Sequence, residues 1–221
     1  MRILGIETSS RVATAAILED GEILAEYTLN HKKTHSQIMQ PAVEKLLTDV
    51  GLSLSDIDIF ACGIGPGSFT GLRIGVSMIK GFAQALSKPT AGVSTLLALA
   101  QNVKGTDKTV VSLIYARADE VFYGIYDRES AEEGVCTIDE LLLKVKNKNC
   151  IFVGDGAVMF KEKIEEEMGK WAAFGTAWQN MVSGANVCIL AKEMADGGKL
   201  SSYTDLSPSY MRPSQAEREF G

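Results

Sequence analysis

Two stretches of this chain set small hydroxyl side chains and glycines at a spacing that could hold a phosphate. The first is Glu7-Thr8-Ser9-Ser10, directly after the apolar stretch that ends at Ile6. Backbone amides and hydroxyls at such a turn can bind phosphate oxygens, and a carboxylate beside them can hold a magnesium-bound water. A simple polar turn is the plainer alternative for the same residues. The second is Gly65-Pro66-Gly67-Ser68-Phe69-Thr70-Gly71-Leu72-Arg73, which follows the apolar run Ile57 to Ile64. There, unpaired amides at a helix N-terminus, with glycines that admit a ligand close to the backbone, suit an anion. It is not a P-loop, because Leu72-Arg73 follows Gly71 where a lysine and a hydroxyl are needed. The dinucleotide fingerprint also fails, since no glycine falls three residues after Gly67.

The same helix offers a second use. Gly71 and Gly75 lie one turn apart, on a helix that also carries Val76, Met78, Ile79 and Phe82. Small residues let another helix approach closely, and Met and Phe supply adaptable apolar area. Burial in the chain's own core is the alternative. His31 and His35 are the only histidines, and they lack the further ligands that a zinc site needs, so surface or capping roles are expected. No serine sits in a Gly-x-Ser-x-Gly elbow, and no nucleophile and base pairing is visible for a hydrolase or protease.

These residues need elements to position them. Residues 2 to 7, 12 to 18 and 22 to 28 read as three strands, the last two joined at Asp20-Gly21, a strong antiparallel hairpin signal. Ile38, Ala42, Leu46 and Val50 keep a four-residue spacing that predicts an amphipathic helix over Ser36 to Val50. Pro41 lies inside it, so the helix is expected to start near Pro41 or to bend there, and Gly51 to end it. A strand over Ile57 to Ile64, a helix over Phe69 to Leu86, and a strand over Pro89 to Val93 leading to a helix complete a first lobe. Beyond Lys104 to Lys108 a hairpin of Val110 to Tyr115 and Val121 to Tyr126 restarts the pattern. A helix over Ile138 to Val145, a strand over Cys150 to Val153, a helix over Val158 to Met168 and a last helix over Ala185 to Ala195 follow. The stretch Pro208 to Pro213 reads as an extended segment before a disordered tail. The expected division is 1 to 103, 104 to 205, and a terminal segment 206 to 221.

Composition narrows the partners. The 28 acidic against 22 basic residues give a net charge of −6, so the overall field would not draw in a polyanion such as tRNA. No apolar run reaches membrane length, the first residues read as a strand rather than a leader, and the four scattered cysteines read as buried free thiols. A cytoplasmic protein is expected.

Taken in order, Ile6-Glu7-Thr8-Ser9, Thr34-His35-Ser36-Gln37, Gly65 to Gly75, Gly92-Val93-Ser94-Thr95-Leu96, Ala116-Arg117, Glu120-Val121-Phe122-Tyr123 and Pro208-Ser209-Tyr210-Met211-Arg212 closely resemble the TsaB family, also called YeaZ. Tyr115 departs from the aspartate that such proteins often carry. The resemblance implies an α/β protein of the actin-like ATPase (ASKHA) fold, with two ribonuclease H-like lobes whose mixed sheets open with antiparallel strands. It also implies a partner, the related catalytic subunit TsaD. TsaD, with the ATPase TsaE, moves a threonylcarbamoyl group from threonylcarbamoyl-AMP to N6 of adenosine 37 of tRNA (t6A synthesis).

Beside the TsaD pattern Gly-Val-Asn-His-x-x-x-His, this chain has Thr95 and Leu99 at the two metal-ligand positions. The resemblance therefore implies a non-catalytic subunit that lacks the metal and touches tRNA only indirectly. A glycine turn survives at Gly154-Asp155-Gly156. At most, weak ATP or ADP binding with magnesium is expected at the partner interface, through Glu7, Thr8, Ser9, Gly65, Gly67, Ser68, Gly154 and Gly156. The helices Ser36 to Val50 and Phe69 to Leu86 are the expected contact surface for TsaD or a second copy, through Met39, Val43, Gly71, Gly75, Met78, Ile79 and Phe82. The alternative is an independent ATP-dependent phosphotransferase or ATPase using the same phosphate-binding candidates.

Overall fold

A computed structural model describes residues 1–31 and 34–211. The expected extended segment and tail lie outside the described residues from Arg212 onward. The chain divides into two units, Met1–Thr95 with Val182–Gly221, and Leu96–Met181.

In the first unit, β1 (Arg2–Glu7), β2 (Val12–Glu19) and β3 (Glu22–Asn30) run antiparallel as expected, and β4 (Ile59–Gly65) and β5 (Thr90–Ser94) add in parallel. The sheet order is β3-β2-β1-β4-β5. The hairpin turns where Asp20 and Gly21 both take positive φ, the geometry that makes Asp-Gly a hairpin signal. Strand β1 is apolar on both faces because both are covered. Leu4 and Ile6 pack in a core with Met39, Val43, Leu46 and Leu47 of α1 (His35–Asp49) and with Val76, Ile79 and Ala83 of α2 (Phe69–Leu86). On the other face α7 (Gly184–Asp196) lies against β1 and β2, close enough that a Cβ at Gly5 would fall 2.6 Å from Cys188 Sγ. Pro41 sits inside α1, which begins at His35 rather than near the proline.

The second unit begins at Leu96 rather than at 104, and the placement of α7 ends it at Met181 rather than at 205. The last helix and the segment after it pack with the first sheet, so the first unit is discontinuous in sequence. The close seating of Cys188 against Gly5 and its Sγ contact with the carbonyl of Ala16 join residues more than 170 positions apart, which no local pattern reveals.

α3 (Thr95–Ala100) carries the chain into the second unit. There β6 (Thr109–Arg117), β7 (Glu120–Tyr126) and β8 (Ala131–Thr137) are antiparallel, with β9 (Cys150–Val153) and β10 (Ala172–Phe174) parallel to β6. The order β10-β9-β6-β7-β8 repeats the topology of the first sheet. Strands β8 and β10 were not expected: β8 reads Ala-Glu-Glu-Gly-Val-Cys-Thr, polar along an edge, and β10 is three residues long. α4 (Ile138–Lys144) matches expectation, but the helix expected over Val158 to Met168 is two, α5 (Asp155–Met159) and α6 (Lys161–Met168), broken at Phe160. Among the described residues no helix is long and apolar enough to cross a membrane, and the four cysteines are free, Cys136 only partly buried.

Candidate binding site

The end of β1 and the start of α2, the two phosphate-binding candidates, meet by satisfying each other. The amide of Ser68 donates to the carbonyl of Ser9 at 2.6 Å, and Thr8 Oγ1 donates to the carbonyl of Gly71 at 2.8 Å. Ser68 caps α2, its hydroxyl accepting from the Gly71 amide at 3.3 Å. Two of the groups that a phosphate would seek at this helix N-terminus are thus engaged within the chain. The glycines have the same cause. A Cβ at Gly71 would fall 2.0 Å from the carbonyl oxygen of Thr8, and one at Gly75 would fall 2.5 Å from Thr8 Oγ1. His35, the first residue of α1, bonds through Nε2 to the carbonyl of Ser10 at 2.7 Å, tying that helix to the same loop; His31 is exposed.

Glu7 does not face outward as a ligand for hydrated magnesium would. Its side chain is 0% exposed, lodged where Gly63 of the neighbouring strand has no side chain. Oε1 accepts from the Ser9 amide at 2.7 Å and Oε2 from the Thr95 hydroxyl at 3.0 Å. Burial lifts its pKa above the ordinary value of 4.5, against the opposing pull of those hydrogen bonds. The parity of β1 and the glycine in an otherwise apolar β4 could have signalled this inward turn.

Thr95 therefore acts as a donor inside the first unit. Leu99, in the second unit, is buried, and its Cδ2 lies 2.7 Å from where a Cβ on Gly154 would stand. Gly154 and Gly156 let the start of α5 rest on Leu113 of β6, and the Gly154 amide donates to Asn180 Oδ1 at 3.0 Å. Among the described residues no three His, Cys, Asp or Glu side chains gather as a metal site.

Of the expected partner-face residues, Met39, Val43, Gly71, Gly75 and Ile79 are buried in the first unit, and Met78 and Phe82 are partly buried. This corrects the reading of the Gly71 and Gly75 pair as an approach surface: Thr8 occupies it. The outward side of α2 carries Thr70, Ser77, Gly81 and Ala85, all exposed, with Ile74 and Met78 between them. A Cβ at Gly81 would meet nothing within 4 Å. Sequence reasoning missed Gly81, although its place on the face opposite the apolar stripe was open to inspection.

A second polar cluster was also missed. Glu26 Oε1 accepts from Ser183 Oγ at 2.9 Å, Ala185 N at 3.2 Å and Thr14 Oγ1 at 3.1 Å, placing a carboxylate at the N-terminus of α7.

Residues 22–218 match the TsaD family, described as tRNA N6-adenosine threonylcarbamoyltransferase. The chain is 32% identical to the tRNA threonylcarbamoyladenosine biosynthesis protein TsaB of Bacillus subtilis, covering 100% of this chain and 98% of that protein. The solved structure of YeaZ from Pseudomonas aeruginosa superposes with a TM-score of 0.79 at 26% identity, over 95% of this chain and 99% of that one. A ROK hexokinase from Thermus thermophilus shares the fold alone, with a TM-score of 0.51 at 10% identity over 90% and 100% of the two chains. The two mixed sheets are thus those of the actin-like ATPase fold, and the chain belongs to the TsaB (YeaZ) branch of the TsaD family, the tRNA threonylcarbamoyladenosine biosynthesis proteins.

Proposed function

We propose that this chain is a non-catalytic subunit in t6A synthesis, pairing with a TsaD-type transferase and supporting its active arrangement. The observation that carries this reading is the fate of Thr95 and Leu99. At the two positions where the catalytic relative has imidazoles, one side chain gives its hydroxyl to a buried carboxylate and the other is an aliphatic group packed against a glycine turn. Leucine has no lone pair to offer a cation, and the Thr95 oxygen is fully buried. The chain contributes shape and surface rather than acid, base or Lewis acid.

The outward face of α2 is the surface proposed for TsaD, or for a second copy when TsaD is absent. Gly71 and Gly75 are accounted for by Thr8, whereas Gly81 weakens the helix with no internal reason, as a position reserved for close approach would. Gly81→Trp and Ser77→Trp test it, because both positions are exposed and leave the core intact. Loss of complex formation with purified TsaD in light scattering, with the fold retained, is the expected result. Undiminished binding by both variants would reject this face.

A further inference from the structure

The segment after Asp205 crosses the start of α2, and its contacts are of two kinds. At one end Leu206 is 3% exposed in the core of the first unit, and its carbonyl accepts from Lys80 Nζ at 3.1 Å. Beyond it the hold is superficial. The Ser209 amide donates to the carbonyl of Ile64 at 2.7 Å, and the Tyr210 ring stacks on Phe69 with centroids 4.7 Å apart and planes at 14°. Arg73 Nε donates to the Tyr210 hydroxyl at 3.1 Å, with the guanidinium 5.9 Å from the ring centroid. Tyr210 itself remains 42% exposed.

The Ile64 carbonyl is available to this segment for a reason built into the sheet. The β4–β5 register shifts between Gly63 and Gly65, leaving Ile64 as a bulge outside the ladder. Its acceptor is met by the Ser209 amide of the strap. Among the described residues, two hydrogen bonds, one ring stack and one cation–π contact oppose the chain entropy of five ordered residues, so the closed and open arrangements lie close in free energy.

We infer that residues 207–211 form a releasable latch, hinged at Leu206, that closes over the Gly65–Phe69 turn and opens without unfolding the first unit. Opening uncovers the Phe69 ring and the Ile64 carbonyl and removes the Tyr210 contact from Arg73, which changes how the first turn of α2 is presented. The relevance of that change to TsaD rests on the proposed function above; the latch itself does not.

Hydrogen exchange on the full chain, without any partner, tests the latch separately from the partner surface. The Ser209 amide should exchange at least tenfold faster than the amides of α7, through local opening. Tyr210→Ala should accelerate Ser209 a further severalfold while α7 and β2 amides keep their rates, and Tyr210→Phe, which keeps the stack, should fall between. Exchange of Ser209 only at the global rate, or equal acceleration across the whole unit in Tyr210→Ala, would overturn the latch. So would a larger effect of Phe than of Ala.

Discussion

The hydroxyl of Thr95 donates to Oε2 of Glu7 across 3.0 Å, with both side chains wholly buried. This pair ties the end of the first strand to the start of α3 and turns the one carboxylate of the sequence's first phosphate-binding candidate into an internal acceptor.

Stability should carry the imprint of Glu7. Its folded pKa is raised by burial, so the folded state binds a proton more readily than the unfolded chain. Stability from this group is therefore greatest in acid and falls as pH rises from about 4.5 toward the raised folded value. Glu7→Gln keeps an acceptor for Ser9 and a polar partner for Thr95, and should abolish that part of the pH slope. Glu7→Ala should cost about 2–4 kcal/mol, because it leaves two buried donors unpaired and a cavity. Urea unfolding at several pH values measures both.

Two glycines on one helix should respond in opposite directions. Gly75→Ala meets Thr8 Oγ1 at 2.5 Å and should destabilise by about 1–3 kcal/mol. Gly81→Ala meets nothing and should stabilise by about 0.5–1 kcal/mol. A stabilising Gly75→Ala would contradict the seating of Thr8 against α2.

Glu26→Ala should lower stability by about 1–2 kcal/mol, since it removes the acceptor for Ala185 N and Ser183 Oγ at the N-terminus of α7. Thermal unfolding should place Glu26→Gln between the native chain and Glu26→Ala.

Magnesium-ATP should bind the isolated chain weakly, with Kd above about 1 mM, or roughly −4 kcal/mol or less in magnitude. The Ser68 and Gly71 amides are already engaged, by Ser9 and by the Ser68 hydroxyl. Calorimetry showing micromolar binding followed by turnover would favour an independent ATPase.

Much of the fold was legible because it is local. Asp20-Gly21 marked the hairpin, the helix read over Phe69 to Leu86 matches α2 at both ends, and the hairpin of Val110 to Tyr115 and Val121 to Tyr126 marked where the pattern restarts. What escaped depends on partners distant in sequence or on edges. α7 joins the first sheet through Gly5 and Cys188, and β8 is a polar edge strand whose pairing with β7 comes from the backbone. At the site, Thr8, Ser9 and Ser68 lie against one another, and the inward direction of Glu7 was not legible, because it depends on the space left by Gly63. Gly71 and Gly75 were small for an internal neighbour, a distinction that spacing along one helix does not contain.

The supporting-subunit account is tested most directly by reconstituting threonylcarbamoyl transfer to tRNA from purified TsaD and TsaE, with and without this chain. The account predicts that modification of adenosine 37 rises strongly only when the chain is present, and that the chain alone produces none. Transfer by the isolated chain, or transfer by TsaD and TsaE that is indifferent to its addition, would contradict it.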